Sequence, residues 1–326
     1  MHVAALIMVS AIAGFAQDLP CEKCHAGESK SQPLTAMARA ATPARDAEIL
    51  AKHPLLKFSK GSYSYTIARE GGRMKYSVSA GGKTLVADLL WAFGAGSMGQ
   101  TYLYEYRGAL YESQVSFYSA INGLDITIGH RNPAQLNLEL AAGRRVDTLE
   151  QARCFGCHTT GSLPGVRCEH CHEDSLQHAR SFGTGSRALV PAKLSVMSND
   201  ELSDFCGACH RTWQDVQANG PHDINNVRLQ PYRLTTSKCY NASMSDNRIS
   251  CVACHNPHVP KETDSAYYDA KCRDCHAAKT AVSAKICTVG QQGCVSCHMP
   301  KVDFPGGHFK FTDHRIRIVR DSAYPS

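Results

Sequence analysis

Apolar and polar residues alternate regularly along one stretch in the first half of the chain. Residues 63–67 and 74–79 each alternate, and the pair Gly71-Gly72 separates them. A second pair, Gly81-Gly82, precedes the segment Lys83-Thr-Leu-Val. A period of two is typical of β-strands, and glycine pairs favour tight turns between strands. This part of the sequence therefore predicts a β-meander.

A second hairpin is predicted after the meander. Residues 101–106 and 110–118 are rich in tyrosine and flank the turn-forming segment Arg107-Gly108-Ala109. Residues 46–52 and 149–153 have the pattern of short helices on either side. We therefore expect a small β-rich domain over residues 55–131.

An uncharged apolar run occupies residues 3–16, and Gly14-Phe15-Ala16 places small residues at the two positions that a signal peptidase recognises. This predicts a signal peptide over residues 1–16 and export to the periplasm or the cell exterior. The run is shorter than the roughly 20 apolar residues that cross a bilayer. We expect no integral membrane span, and peripheral membrane association stays open.

Seven copies of the pattern Cys-x-x-Cys-His take up fourteen of the sixteen cysteines. This is the attachment pattern of a c-type haem, in which both thiols bond to the porphyrin and the histidine ligates the iron. We number the copies in chain order as motif 1 (Cys21, Cys24, His25), motif 2 (Cys154, Cys157, His158), motif 3 (Cys168, Cys171, His172), motif 4 (Cys206, Cys209, His210), motif 5 (Cys251, Cys254, His255), motif 6 (Cys272, Cys275, His276) and motif 7 (Cys294, Cys297, His298).

Three other uses of paired cysteines were compared with haem attachment. Zinc sites, thioredoxin-like redox centres and disulfide scaffolds all use such pairs. None of them requires a histidine directly after the second cysteine, and all seven copies have one. The sequence therefore predicts seven covalently bound haem c groups.

The spacing of the motifs predicts the organisation of the chain. Motif 1 stands alone, no motif occurs in residues 30–153, and the other six crowd into residues 154–298. Because the macrocycles are themselves large apolar bodies, they would replace an ordinary core there. We expect a mainly α and irregular, haem-packed fold, divided into a haem 1 segment (17–54), a haem-free β-rich insert (55–131) and a hexahaem domain (132–326).

Charge argues against a nucleic-acid partner. The chain has a formal net charge of +6, and seven oxidised haems with their propionates would bring the total to about −1. The basic residues are better interpreted as partners of propionates than as a nucleic-acid surface.

Histidines outside the motifs are candidate distal ligands of the irons. His170 lies between two motif cysteines and is set aside, which leaves seven candidates for seven haems. A histidine three to six residues after a motif cannot reach the far face of its own haem, so it would ligate a neighbour; the alternative is a hydrogen bond to a propionate. The seven candidates are His53, His130, His178, His222, His258, His308 and His314.

Three segments carry a resemblance to a known family. They are Gly165-Val-Arg-Cys-Glu-His-Cys-His followed by His178, Ser250-Cys-Val-Ala-Cys-His-Asn-Pro-His258, and Cys294-Val-Ser-Cys-His-Met-Pro-Lys followed by Thr312-Asp-His314. Residues 154–319 resemble the multihaem cytochrome c superfamily of hydroxylamine oxidoreductase, its tetrahaem acceptor cytochrome and pentahaem nitrite reductase. The resemblance implies that His178, His258 and His314 are distal ligands.

Two further features leave alternatives open. Met37 lies where related chains often have a distal histidine, so it either ligates haem 1 and raises its potential or packs on a haem face. Cys239 and Cys287 belong to no motif, and in an oxidising compartment we expect them to form a disulfide; two separate thiols are the alternative.

Three functions fit the sequence. The first is an electron-transfer conduit between redox proteins, favoured because enough histidines exist to close every iron and no Cys-x-x-Cys-Lys of the kind common in related nitrite reductases occurs. The second is an oxidoreductase acting on nitrite, hydroxylamine or tetrathionate, which leaves open whether the protein is an enzyme. The third is a subunit of an extracellular cytochrome assembly, and oligomerisation stays open.

Overall fold

The computed structural model describes residues 21–133, 137–183, 194–221, 223–241, 249–277, 287–290 and 292–319. The predicted signal peptide over residues 1–16 and the candidate ligand His222 lie outside the described residues. The strands are β1 Ala41–Pro43, β2 Leu55–Lys60, β3 Tyr63–Glu70, β4 Arg73–Ala80, β5 Lys83–Phe93, β6 Gly99–Tyr106, β7 Ala109–Ser113, β8 Val115–Tyr118, β9 Gly123–Ile126, β10 Gly143–Arg145, β11 Thr159–Thr160, β12 Leu163–Pro164, β13 Lys301–Asp303 and β14 Lys310–Thr312. The helices are α1 Ala26–Ser31, α2 Glu48–Lys52, α3 Leu138–Ala142, α4 Thr148–His158, α5 Cys168–Cys171, α6 Ser175–Gly183, α7 Asn199–His210, α8 Trp213–Asn219, α9 Gln230–Thr235, α10 Lys238–Asn241, α11 Cys251–Cys254, α12 Ser265–His276 and α13 Cys294–His298.

A curled antiparallel sheet of ten strands dominates the structure. Its main path runs β10-β7-β6-β5-β4-β3-β2. Strand β1 pairs with β5, and β8 joins β6 to β9. All these pairings are antiparallel.

The predicted meander is confirmed as β3, β4 and β5. In β3, alternate residues Tyr63, Tyr65 and Ile67 are buried, as the period of two requires. Both residues of each glycine pair have positive φ, +55° and +77° in the first pair and +54° and +76° in the second. Two-residue hairpin turns need positive φ at both central positions, which glycine adopts without steric cost.

The second predicted hairpin is confirmed in part. Strands β6 and β7 enclose the turn at Arg107 and Gly108, but residues 115–118 form the separate strand β8. The ladder breaks at Gln114, whose backbone N–H donates to the Ala142 carbonyl (3.0 Å) and whose carbonyl accepts from Thr127 (2.8 Å). The two predicted short helices are found as α2 and α4.

The core of the sheet is rich in tyrosine. Its cluster of buried residues lies between Ala44 and Ala142. Helix α3 closes it, because the Tyr65 hydroxyl donates to the Ala141 carbonyl (3.0 Å) and the Tyr76 hydroxyl to the Ala142 carbonyl (2.7 Å). The carbonyls at the last turn of a helix have no partner within the helix. These two hydroxyls satisfy them, together with the Gln114 N–H that also donates to Ala142.

The predicted fold class, mainly α and irregular with a small β-rich insert, is wrong. The large curled sheet dominates instead. The sheet extends beyond residues 55–131 in both directions, through β1 and β10. The sequence did not predict these two strands, because three residues are too few to show an alternating pattern. The sheet also buries a conventional core of its own.

The chain after α4 forms short helices separated by irregular segments. Two of them begin with capping boxes, α7 at Ser198 and α8 at Thr212. Within the described residues, no helix is long and apolar enough to cross a membrane.

Candidate functional site

All seven motifs lie on short helical segments. Motif 1 begins on a 3-10 turn (Cys21–Lys23), and motifs 2 to 7 lie within or at the end of α4, α5, α7, α11, α12 and α13. Residues three and four apart lie on one face of a helix. This conformation therefore presents both thiols and the histidine of a motif on the same side.

One continuous cavity of about 4120 Å³ receives all seven motifs. Every motif histidine and every motif cysteine except Cys154 lies on its wall. Pockets for a single small ligand usually measure roughly 300–1,000 Å³. The cavity is therefore several times larger than such a pocket, and its wall carries the cysteines and histidines of the predicted attachment motifs.

Apolar side chains on the cavity wall are left uncovered by protein. Five of them are each at least 40% exposed. Large exposed apolar patches on proteins normally mark binding surfaces. A flat apolar ring bonded to the neighbouring cysteines would cover them, so the residues present fit haem. The five are Phe182, Val252, Val259, Val289 and Ile318.

Three pairs of histidines face each other in the cavity region. The ring centroids are 6.5 Å apart for His25 and His178, and 6.1 Å apart for His172 and His258. For the third pair, His255 and His314, the ring centroids are 6.3 Å apart. Two imidazoles on one metal have centroids roughly 6 Å apart, since each bond is about 2 Å and each nitrogen lies about 1 Å from its ring centre. Each pair therefore leaves room for one iron.

Hydrogen bonds fix the tautomer of three histidines. The Nδ1 of His158 donates to the Ala40 carbonyl (3.2 Å), and the Nδ1 of His298 donates to the Arg317 carbonyl (2.9 Å). The Nδ1 of His314 likewise donates to a backbone carbonyl, at 3.0 Å. A carbonyl only accepts, so Nδ1 carries the proton and Nε2 keeps the lone pair that a metal needs. Burial also lowers the pKa of His314 to about 4, which keeps the ring neutral near pH 7.

Other sequence candidates are placed differently. His53 lies against Phe117, with ring centroids 5.1 Å apart, and does not line the cavity. His130 also lies away from the cavity, and both of its ring nitrogens have partners, the Gln114 side-chain oxygen (3.1 Å) and the Glu112 carboxylate (2.9 Å).

Two further candidates, His308 and Met37, line the cavity. The Nε2 of His308 bonds the Asp125 carboxylate at 2.7 Å. Met37 is half-buried, but the side chain that faces the motif 1 histidine is the imidazole of His178. Among the described residues the structure thus brings together three facing pairs, whereas the sequence supplied seven candidates for seven haems.

Neighbouring motifs touch through their thiols. Burial and the neighbouring Cys21 thiol raise the pKa of Cys168, which places motif 1 beside motif 3. The Cys209 thiol of α7 likewise lies beside Cys157, and the Cys206 thiol, also on α7, lies beside Cys251 of α11. Motif 4 therefore contacts both motif 2 and motif 5.

Asp269 couples the last two motifs. It is buried in α12, and its two carboxylate oxygens accept from the backbone N–H groups of Gly293 (2.7 Å) and Val295 (2.9 Å). These amides belong to the first turn of α13, where a helix has unsatisfied donors. The carboxylate therefore holds motif 7 beside motif 6.

A buried ion pair holds the segment that carries His314. Arg233 donates to both oxygens of Asp313, at 2.9 and 2.8 Å, and Arg317 donates to one of them at 2.5 Å. Burial acts to raise the pKa of Asp313, but these bonds hold that pKa below its usual value. No local sequence pattern marks the contact of Arg233 with Asp313 or that of Asp269 with α13, because these partners lie 24 to 80 residues apart in the chain.

The predicted disulfide is not formed. Cys239 and Cys287 are both free thiols, the first half-buried and the second exposed. Within the described residues, no three or more His, Cys, Asp or Glu side chains gather into a group that could hold a metal ion. A haem iron differs from such a site in taking at most two ligands from the protein, the others being porphyrin nitrogens.

Comparison of the chain with protein-family models, with curated proteins and with solved structures returned no match.

Proposed function

We propose that this protein is a multihaem c-type cytochrome, of the kind its motifs resemble, that passes electrons between redox proteins. The observation that carries the proposal is that all seven attachment motifs open onto one cavity in which three pairs of imidazoles face each other. Bound haem would supply reversible one-electron transfer.

The residues have distinct roles in this proposal. The cysteine pairs hold each group covalently, and the motif histidines supply one axial ligand. His178, His258 and His314 supply the second ligand for the groups at motifs 1, 3 and 5 respectively. An iron held by two such imidazoles would have no position left for a substrate, which favours electron transfer over catalysis at these three motifs.

Contacts between motifs support a continuous arrangement. Motif 1 touches motif 3, and His258, three residues after motif 5, faces the histidine of motif 3. Motif 4 touches motifs 2 and 5, and Asp269 holds motif 7 beside motif 6. Electron transfer among several haems needs neighbouring groups to lie close together, and these contacts would bring them together. Export to the periplasm or cell exterior, and donor and acceptor proteins as partners, belong to the same proposal.

One observation favours a second candidate function, reduction or oxidation of a small nitrogen or sulfur compound. His308 lies on the cavity wall with its Nε2 2.7 Å from Asp125. A histidine paired with a carboxylate can deliver or accept a proton at near-neutral pH. Such a group would serve proton transfer to or from a small compound in the cavity.

The test uses purified protein whose haem content has been verified. Electron transfer predicts rapid reduction by a reduced viologen dye, rapid reoxidation by an oxidised cytochrome, and no catalytic turnover of nitrite, hydroxylamine or tetrathionate. Turnover that His308→Ala abolishes, with haem content unchanged, would instead establish the oxidoreductase. Failure to cycle with either kind of redox partner would contradict the electron-transfer proposal.

A further inference from the structure

The chain that follows motif 7 folds back onto the histidine of that motif. The hairpin of β13 and β14 reverses its direction, so that Arg317 lies alongside His298. The backbone N–H of Arg317 donates to the His298 carbonyl (3.3 Å), and the Arg317 carbonyl accepts from the His298 Nδ1 (2.9 Å). Because the second bond fixes the orientation of the ring, the backbone of Arg317 decides where the motif 7 imidazole points.

The same short stretch of chain carries the imidazole that faces motif 5. His314 lies three residues before Arg317, and its ring centroid is 6.3 Å from that of His255. We call residues 313–317 the return segment. With so few residues between its two ends, a displacement of one end is passed to the other. The return segment therefore contacts the histidines of motifs 5 and 7 at once.

Two side chains at the end of α9 hold the return segment. Arg233 donates to both oxygens of Asp313, and both residues are buried, so the pair fixes the distance and the orientation of the carboxylate. Just beyond α9, the buried Ser237 hydroxyl donates to the His314 carbonyl (2.9 Å) and accepts from the Ile316 N–H (2.8 Å). One helix end thus holds the return segment at its first, second and fourth residues.

The position of the return segment matters to the groups at both motifs. A carbonyl that accepts from the Nδ1–H of a ligating histidine makes the imidazole more basic, and a more basic ligand favours ferric over ferrous iron. A distal histidine ligates only while its ring is held within about 2 Å of the iron. Loosening the return segment would therefore raise the potential at motif 7 and open the iron at motif 5.

We propose that Arg233 and Ser237 are positioning residues that act through the return segment and set the axial environment of two haems together, those at motifs 5 and 7. The inference rests on the proposed function and adds to it that these two haems respond as a pair to one helix end. Neither side chain is itself a ligand in this proposal. Both act by holding the backbone that carries His314 and the Arg317 carbonyl.

The experiment uses the full-length protein, with haem at each motif determined by intact and peptide mass. Ser237→Ala removes a hydroxyl and no charge, whereas Arg233→Lys keeps the charge but loses the fork that bonds both carboxylate oxygens. Thr236→Ala is the matched control, because its hydroxyl donates within its own helix end, to the Arg233 carbonyl (2.8 Å). His314→Ala, which removes the imidazole that faces motif 5, supplies the reference signal for a fully opened iron.

Three measurements follow the haems, namely electron paramagnetic resonance, carbon monoxide binding and spectroelectrochemical titration. We expect Ser237→Ala and Arg233→Lys each to bind carbon monoxide at a fraction of one haem, with the spectrum of His314→Ala, and to show the matching high-spin signal. One further midpoint potential should rise, and the other five of the seven haems should keep theirs. Because Ser237→Ala leaves every buried charge paired, it carries the test even if Arg233→Lys fails to accumulate.

The inference is overturned if Ser237→Ala matches Thr236→Ala in carbon monoxide binding and in every potential, or if only one haem responds. A common shift of all the potentials would also overturn it, because general loosening of the fold would then explain the change. In these cases the haem content stands and so does the proposed function. Unmodified protein without haem at motifs 5 and 7 would instead overturn the proposed function and this inference with it.

Discussion

His172 and His258 face each other with nearly parallel rings, 6.1 Å between centroids and 5° between planes. The first belongs to motif 3, and the second follows motif 5 by three residues. A single iron between them would therefore be held by segments 86 residues apart in sequence, which fixes the two motifs side by side.

Replacing His258 by Ala should open one axial position. We expect a new high-spin signal in electron paramagnetic resonance and new binding of carbon monoxide, whereas His258→Met should keep the iron six-coordinate and raise its potential. His53→Ala is the control, because His53 packs on Phe117 away from the cavity. Equal spectra for His258→Ala and the unmodified protein would show that His258 is not a ligand.

Asp269→Ala should weaken haem attachment at motif 7. The change leaves the N–H groups of Gly293 and Val295 without their acceptor and destabilises the first turn of α13 by about 1 kcal/mol or more. We expect intact mass to show a fraction of chains lacking one haem, and peptide mass to locate the loss at Cys294 and Cys297. Asp264→Ala removes only the exposed cap of α12 and should keep full haem content at motif 7; equal losses in both variants would refute the coupling.

Two tyrosines of the sheet core should respond in opposite ways to loss of the hydroxyl. Tyr76→Phe removes a buried hydrogen bond to the Ala142 carbonyl and should lower the free energy of unfolding by about 1 kcal/mol. The Tyr102 hydroxyl is buried with no hydrogen-bond partner in the structure, so Tyr102→Phe should be neutral or stabilising. Urea denaturation followed by far-ultraviolet circular dichroism compares them, and an equal loss in both variants would contradict the assignment.

Glu112 should make the sheet sensitive to acid. Burial acts to raise its pKa, but the hydrogen bond and charge of His130 and the charge of Arg144 hold it below its usual value. A carboxylate with a depressed folded-state pKa contributes stability above its unfolded pKa and loses it as pH falls through the folded value. We therefore expect stability to decline below about pH 4.5 and Glu112→Gln to flatten that decline. Glu70→Gln, at the exposed end of β3, should retain the slope of the unmodified protein; a slope unchanged in Glu112→Gln would rule out this role.

Local sequence patterns predicted the structural features that neighbouring residues determine by themselves. Alternation and glycine pairs located the meander, and the spacing of each Cys-x-x-Cys-His copy located the attachment groups. Strands β1 and β10 escaped prediction because three residues carry no recognisable period, and their pairing with β5 and β7 is decided by packing. The error in fold class followed from confining the β structure to the meander and the tyrosine-rich hairpin and treating both as a small insert.

In the candidate site, too, the sequence predicted local features but not the contacts that form only when the chain folds. The family resemblance nominated His178, His258 and His314, and sequence distance supported the first two. Neither could say which motif histidine each one faces. His130 was counted as a ligand candidate because a sequence cannot show that Gln114 and Glu112 occupy both of its ring nitrogens. The ion pair of Arg233 and Asp313, 80 residues apart, likewise exists only once the chain is folded.

The central claim is that all seven motifs carry covalently bound haem. Intact-mass measurement after acid–acetone extraction, which removes haem that is not covalently attached, tests it most directly. We predict the mass of the polypeptide plus seven haem increments, with every increment assigned to a motif cysteine pair by peptide mass. A mass equal to the bare chain, or one lowered only by the hydrogens lost in disulfide formation, would contradict the account.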